Sequence, residues 1–321
     1  MKSRRHAVTG AFGYSGRYIA QLLLDRGEEV ITLTSSPGRA SSLAGRIRAV
    51  PFNFDAPDVL ARSLEGVATL FNTYWVRFDH VSFNHDQAVH NTLALFDAAQ
   101  RAGVGRIIHV SITNPSEDSP LPYFRGKARL ERALREMGVP HSILRPAVLF
   151  GPEDILINNI AWALRRFPVF GVFGDGGYKL QPICVSDLAE LAVREADQRE
   201  NRTINAIGPE TFTYRQLVTE LGRIIGCERR LISLPPALGY WCGRLVGWWQ
   251  RDEFITREEI AGLMAGLLCV EAPPAGTTKL TEWARQHAAT LGREYANELR
   301  RRRNRTAAYA AAAPTENSAR Q

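Results

Sequence analysis

The chain has 321 residues, 45% of them hydrophobic and 23% charged. That composition fits a folded globular protein with a large core and argues for one nucleotide-sized domain plus a smaller lobe. The net charge of +7 is concentrated at one end: residues 300–321 hold six Arg and one Glu, leaving 34 basic and 32 acidic residues elsewhere. A near-neutral body offers no basic face for nucleic acid, so none is expected as a partner.

Taken in chain order, residues 6–9 read as a buried strand and residues 14–26 as a helix with Ile19, Leu22 and Leu23 on one face, stopped by Gly27. Strands follow at 29–34 and 47–52, then a short helix at 57–64 that opens on Pro57. A fourth strand covers 67–72, a long helix covers 81–102 before Gly103, and a fifth strand covers 106–111. Residues 121–137 are helical and a sixth strand runs from 141 to 144. Bulky apolar strands alternating with helices predict an α/β, Rossmann-type doubly wound parallel sheet. This nucleotide-binding domain is expected over residues 1–150.

Beyond Gly151 the pattern loosens, with helices at 155–166, 186–196 and 214–225 between Gly- and Pro-rich loops. Residues 151–299 read as a smaller C-terminal substrate lobe with some segments returning to the sheet, and 300–321 as a disordered basic tail. Residues 234–249 are apolar and contain Trp241, Trp248 and Trp249, but Pro235, Pro236 and Arg244 interrupt them and they are too short to span a bilayer. They fit a buried or lid helix of the lobe better than an interfacial helix making peripheral membrane contact. The four Cys form no CxxC pair and read as buried thiols in a reducing compartment. With a strand starting almost at Met1, the expectation is a cytoplasmic chain.

The chemistry begins at Thr9-Gly10-Ala11-Phe12-Gly13-Tyr14-Ser15-Gly16, between the first strand and the first helix. Gly10 permits the sharp turn, Gly13 lets backbone approach a pyrophosphate, and Gly16 lets the helix pack on the sheet. The helix N-terminus then presents N–H groups and a positive dipole end to phosphate, so Phe12, Tyr14 and Ser15 are candidate contacts. An NAD site carries an acid at the end of the second strand. Here that end reads Thr34-Ser35-Ser36-Pro37-Gly38-Arg39, with no acid. Ser35 and Arg39 could hold a 2′-phosphate, which favours NADP(H) over NAD(H). Asp55 is a candidate for the adenine amino group.

Tyr123 and Lys127 stand four apart at the start of a predicted helix and share one face. A free phenol titrates near pH ~10, and a neighbouring ammonium lowers that value, so the pair suits proton transfer beside a hydride acceptor. Ser111 and Thr113, at the C-terminal end of the fifth strand, could bond a substrate oxygen. Tyr74-Trp75-Val76-Arg77-Phe78, after the fourth strand, should overlie the cleft, with Tyr74 on the cofactor side. Its aromatics suit either an apolar or planar small-molecule substrate or a plug. His80, His85 and His90 spread around a helix and make a poor metal set, so no metal is expected.

The segments TGAFGYSG, NTLALFDAAQRAGV, RIIHVSI and YFRGK resemble the extended or atypical short-chain dehydrogenase/reductase superfamily, as does LRPAVLFGPED followed by LQPICVSDLAEL. HVSITNP, QPICVSDLA and ITREEI are more closely similar to relatives of the NAD(P)H-binding accessory subunit of respiratory complex I. The resemblance implies that Tyr123 is the acid/base, that Lys127 holds the nicotinamide ribose and tunes Tyr123, and that the third hydroxyl is Thr113 or Ser111. It also implies that Pro146 and Val148 pass near the nicotinamide amide. Asp187 falls before a helix bordering the site, where capping that helix is favoured over catalysis. Epimerases of the superfamily carry an Asn after the sixth strand, but Arg145-Pro146-Ala147-Val148 stands here, which argues against a nucleotide-sugar substrate. Two readings follow: an NAD(P)-dependent oxidoreductase or epimerase acting on a carbonyl or alcohol carbon, or a non-catalytic NADP(H)-binding module in a quinone- or membrane-linked assembly.

Overall fold

A computed structural model describes residues 3–309. The first half of the chain runs β1 (Arg5–Thr9), α1 (Ser15–Asp25), β2 (Glu29–Thr34), β3 (Arg48–Pro51), α2 (Pro57–Ser63), β4 (Val67–Asn72), α3 (His85–Arg101), β5 (Arg106–Val110), α4 (Pro122–Glu136) and β6 (His141–Pro146). The second half adds β7 (Val148–Phe150), α5 (Leu156–Arg166), β8 (Val169–Phe173), β9 (Lys179–Leu180), β10 (Pro182–Cys184), α6 (Val185–Glu195) and β11 (Arg202–Ala206). It ends with β12 (Phe212–Thr213), α7 (Tyr214–Ile224), β13 (Arg230–Leu234), α8 (Pro236–Gln250), α9 (Arg257–Met264), α10 (Leu280–Gln286) and α11 (Glu298–Arg303).

Seven strands form one sheet in the order β11-β6-β5-β4-β1-β2-β3, and every neighbouring pair is parallel. Strand side chains alternate between two cores, as a period of two requires. Ala7, Leu33, Leu70, Ile107 and Ile143 face α2, α3 and α4, whereas Val8, Val30, Phe71, Ile108 and Leu144 face α1 and α6. A third core, built on α5, α7 and α9 with Phe150, Phe170 and Trp283, fills the C-terminal lobe. The doubly wound sheet with a smaller lobe is therefore present.

Three departures have physical reasons. Helix α3 begins four residues later than its apolar pattern suggests, because the Asn84 side chain caps it by accepting from the Gln87 N–H while His80 and Phe83 pair as a bridge before it. The return to the sheet is β11, a polar edge strand on β6 whose sequence, RTINA, carries no buried-strand signature. Residues 300–309, expected within a disordered tail, are instead anchored. Asn297 caps α11 through the Arg300 N–H, the Ala40 N–H donates to the Thr306 carbonyl, and Arg301 donates to the Glu153 carbonyl. Residues 310–321, the rest of that tail, lie outside the described residues.

Candidate functional site

Parallel strands bring the loops after β1, β2, β4 and β5 to one edge of the sheet, and the candidate residues collect there. The Gly turn sits at the end of β1. Gly10 has a φ of +66°, and its carbonyl accepts the Gly13 N–H at 2.7 Å. A Cβ on Gly16 would lie 2.6 Å from the Gly10 carbonyl oxygen, so only glycine lets α1 start this close to the strand. The α1 N-terminus has no side-chain cap and no acid in its first turn. Its positive dipole end and first amides are left for an anionic group, which is what a pyrophosphate requires. On this observation the turn fits a dinucleotide.

Beneath the turn, Thr9 and Asn72 hydrogen-bond at 3.2 Å, and the Asn72 amide is 3.0 Å from Nδ1 of the buried His109. Thr9 also accepts the Thr73 N–H at 2.7 Å. This chain ties β1, β4 and β5 together just below the cleft. Burial holds His109 well below the usual imidazole range, with the Lys127 charge adding to the effect. Sequence reasoning missed the network, since its members are spread over three strands.

The residues expected at the adenosine end are placed differently from one another. Ser35 and Asp55 are exposed. Tyr74 packs with Phe52 and Phe54, ring centroids 5.1 and 5.4 Å away, and its hydroxyl accepts from Asn91 at 2.9 Å. Arg39 is not free to meet a 2′-phosphate here. It is buried, and its guanidinium donates to the carbonyls of Arg301 at 2.9 Å and Ala307 at 3.4 Å. Burial lowers its pKa. The same C-terminal segment lays the Tyr309 ring parallel to Tyr14, at 6.5 Å, with Arg301 over Tyr309.

At the other end, α4 carries Tyr123 in its first turn and Lys127 one turn on. The Lys127 ammonium is buried, donates to the Val110 carbonyl at 2.7 Å, and lies 4.3 Å from the centre of the Trp75 ring. Desolvation lowers its pKa to about 7, against an opposing pull from Glu131. The Trp75 indole also meets Tyr123 edge-on at 5.6 Å and His85 at 5.8 Å. Gly126, between Tyr123 and Lys127, makes room for it: a Cβ there would come within 2.9 Å of Trp75. A glycine in the middle of a helix was the overlooked sign of this contact.

The expectation that Lys127 lowers the Tyr123 pKa is not met in this arrangement. Burial pushes the phenol above its ordinary range and Glu259 adds to it, while the Lys127 amine is engaged with Val110 and Trp75. The two hydroxyl candidates are also engaged. Ser111 donates to the buried Glu131 carboxylate at 2.6 Å, and Thr113 donates to the Leu267 carbonyl at 2.8 Å. Glu131 also accepts from Arg145 and Arg135, so Ser111 belongs to an ion cluster behind the cleft. His85 stands 2.6 Å from Asp79 through Nδ1, and burial nonetheless lowers its pKa. Arg77, in the loop after β4, pairs with Glu259 of α9.

Pro146 and Val148 are buried at the end of β6 and in β7. Asp187 does not cap α6. Its carboxylate accepts the N–H groups of Thr277 and Thr278 and the Thr278 hydroxyl, pinning a distant loop. Asn158 and Asn159 bind backbone of residues 292–296, so neither stands in for the epimerase Asn.

Residues 10–157 match the family model described as NAD(P)H-binding. The chain is 28% identical, over 71% of its length, to NADH dehydrogenase (ubiquinone) 1 alpha subcomplex subunit 9, mitochondrial, of Arabidopsis thaliana, and it spans only 60% of that protein. It is also 28% identical to the UDP-glucose 4-epimerase of Mycolicibacterium smegmatis, over 73% of this chain and 87% of the other. The structure of Citrobacter sp. triphenylmethane reductase complexed with NADP(H) superposes with a TM-score of 0.73 at 20% identity, covering 89% of this chain and 99% of the other, a likeness of fold. The resemblance to NAD(P)H-binding proteins, to relatives of the complex I accessory subunit and to epimerases therefore holds as a resemblance, and the likeness to the reductase is one of fold. The name of the Arabidopsis protein places that protein in the mitochondrion, so this likeness lends no support to a cytoplasmic location. Among the described residues, no helix is long and apolar enough to cross a membrane.

Proposed function

We propose that the chain is an NADP(H)-dependent oxidoreductase of the short-chain dehydrogenase/reductase type, acting on a carbonyl or alcohol carbon of a small apolar or planar molecule. The observation that carries this reading is the pairing of an uncapped Gly-turn helix with Tyr123 and Lys127 on α4 at the same sheet edge. NADP(H), when bound, supplies or accepts the hydride.

The chain's own residues do the rest. Gly10, Gly13 and the first amides of α1 bind the pyrophosphate. Tyr123, kept protonated by burial, donates its proton to the oxygen of a carbonyl substrate, which favours the reductive direction. Lys127, with a pKa near neutrality, exchanges protons with Tyr123 once the Trp75 ring moves off it. Trp75, His85 and Phe124 form the apolar wall against which a planar substrate packs. Arg39 serves the 2′-phosphate only when the C-terminal segment releases it.

A second reading is favoured by one observation: Trp75 covers Lys127 where a nicotinamide ribose would be held. In that reading the chain holds the dinucleotide without turnover, in a membrane- or quinone-linked assembly, as the name of the Arabidopsis relative suggests. Steady-state oxidation of NADPH with a panel of aromatic carbonyls and quinones, in wild type and Tyr123→Phe, separates the two. The enzyme reading predicts turnover that falls about 100-fold or more in Tyr123→Phe with NADPH affinity unchanged. Equal rates in both proteins would remove Tyr123 from the mechanism. Tight binding without any oxidation would select the second reading.

A further inference from the structure

Helix α8 is amphipathic in size rather than in polarity. Gly239, Gly243 and Gly247, four apart, face the body of the protein. Cβ atoms at these positions would come within 2.5 Å of the Phe173 ring, 2.7 Å of Ile255 and 2.6 Å of the Asp252 carbonyl oxygen. No large side chain fits along this glycine line; Tyr240 and Val246 flank it half-buried against the lobe core, and the other large side chains face out. Leu238 is 50% exposed, Trp241 63%, Leu245 68%, Trp248 79% and Trp249 49%. Leu238, Trp241, Leu245 and Trp248, spaced three or four apart, form one stripe along the helix, with Trp249 beside it at 6.0 Å from the Trp162 ring. The segment expected to be a buried or lid helix is therefore an apolar ridge on the surface, the kind of patch that marks an interaction site.

The charges beside the ridge identify what it meets. Within α8 the one charged residue is Arg244. Arg251 follows as its C-cap, Arg166 lies over the Trp249 ring, and Arg257 lies over Tyr240. Next to Trp248 and Trp249, a recess of about 610 Å³ is lined by Arg244, Arg251 and Arg303. Its two carboxylates are already engaged. Asp252 accepts from the Tyr295 hydroxyl and the N–H groups of Glu298 and Leu299, and Glu253 faces Arg244 at 3.3 Å. Among the described residues, Arg251 and Arg303 have no acidic partner. Charge complementarity to these guanidinium groups points to an anionic surface as what the ridge meets.

We propose that α8 docks the protein on an anionic phospholipid bilayer, with Trp241, Leu245 and Trp248 entering the interface and the Arg244–Arg251–Arg303 recess taking a headgroup phosphate. Indole rings are amphipathic and settle at headgroup depth, and Arg keeps its charge in the polar layer. The docking rests on α8 and its rim alone, and not on either reading of the cofactor site.

Flotation of the full chain with vesicles of phosphatidylcholine, or of equal parts phosphatidylcholine and phosphatidylglycerol, tests it. The expected result is binding to the mixed vesicles with a blue shift of Trp emission, weakened by added salt. Trp241→Ser with Trp248→Ser should cut partitioning about tenfold or more, and Arg251→Glu with Arg303→Glu should abolish the preference for anionic lipid. Thermal unfolding should be within a few degrees of wild type in all variants, which reports that each is folded and keeps this test apart from that of the cofactor site. Failure of the wild type to float with mixed vesicles overturns the proposal. So does unchanged binding after the Trp substitutions, or a dimer in sedimentation that the same substitutions dissolve.

Discussion

Gly16→Ala sets two effects of known sign against each other. Gly16 is the second residue of α1, and in a helix alanine is favoured over glycine by about 1 kcal/mol. Against that, the new Cβ would stand 2.6 Å from the Gly10 carbonyl oxygen and 2.9 Å from both the Gly10 carbonyl carbon and the Thr9 oxygen. All three are backbone atoms of the turn and cannot rotate away. Overpacking of this kind costs about 1–3 kcal/mol, and crowding against three fixed atoms belongs at the upper end. The net expectation is a loss of about 2 kcal/mol, or roughly 3 °C in Tm for a chain of this size. The displaced α1 N-terminus should also bind NADPH about tenfold or more weakly, since both its dipole end and its amides move. Thermal unfolding and a fluorescence titration with NADPH read the two effects separately. Gly27→Ala is the control: its φ of +75° makes alanine strained, but no atom lies within 4 Å of the new Cβ, so stability alone should fall, by about 1 kcal/mol. Wild-type affinity and Tm in Gly16→Ala would refute the close-approach argument for the turn.

Two further outcomes follow from buried charge. Lys127 gives up its proton near pH 7 when folded and near 10.5 when unfolded, so between those values the unfolded chain binds more protons and stability rises with pH. Urea unfolding should show this rise, approaching roughly 4–5 kcal/mol across the window, and Lys127→Met should flatten it; an unchanged slope in the variant would place the titration elsewhere. Glu131→Ala removes a carboxylate that is 1% exposed and bonds Ser111, Arg135 and Arg145, and should cost about 3–5 kcal/mol in the same assay, whereas a loss below about 1 kcal/mol would mean the cluster is not load-sharing.

The nucleotide-binding half was legible because its signals are local. Strands β2 and β4 fall where their apolar runs end, and α1 ends before Gly27 because glycine accepts the left-handed turn there. The Gly turn and the Tyr123–Lys127 spacing were readable for the same reason. What stayed hidden depends on partners distant in sequence. Nothing near Ser111 announces that Glu131 and Arg145 will claim its hydroxyl, and nothing near Arg39 announces that residues 301–307 will. The outward stripe of α8 could not be told from a buried one, because an apolar periodicity gives the face but not its direction. The glycines four apart held that information, since they mark the side packed against another element. The polarity of β11 hid a strand whose place in the sheet comes from β6 rather than from its own side chains.

Calorimetric titration of the full chain with NADPH and with NADH tests the central claim most directly. A dinucleotide site at the Gly10-Gly13-Gly16 turn predicts saturable heat at one site per chain, tighter for NADPH and lost or strongly reduced in Gly16→Ala. Absence of heat with both nucleotides, or binding untouched by Gly16→Ala, would contradict it.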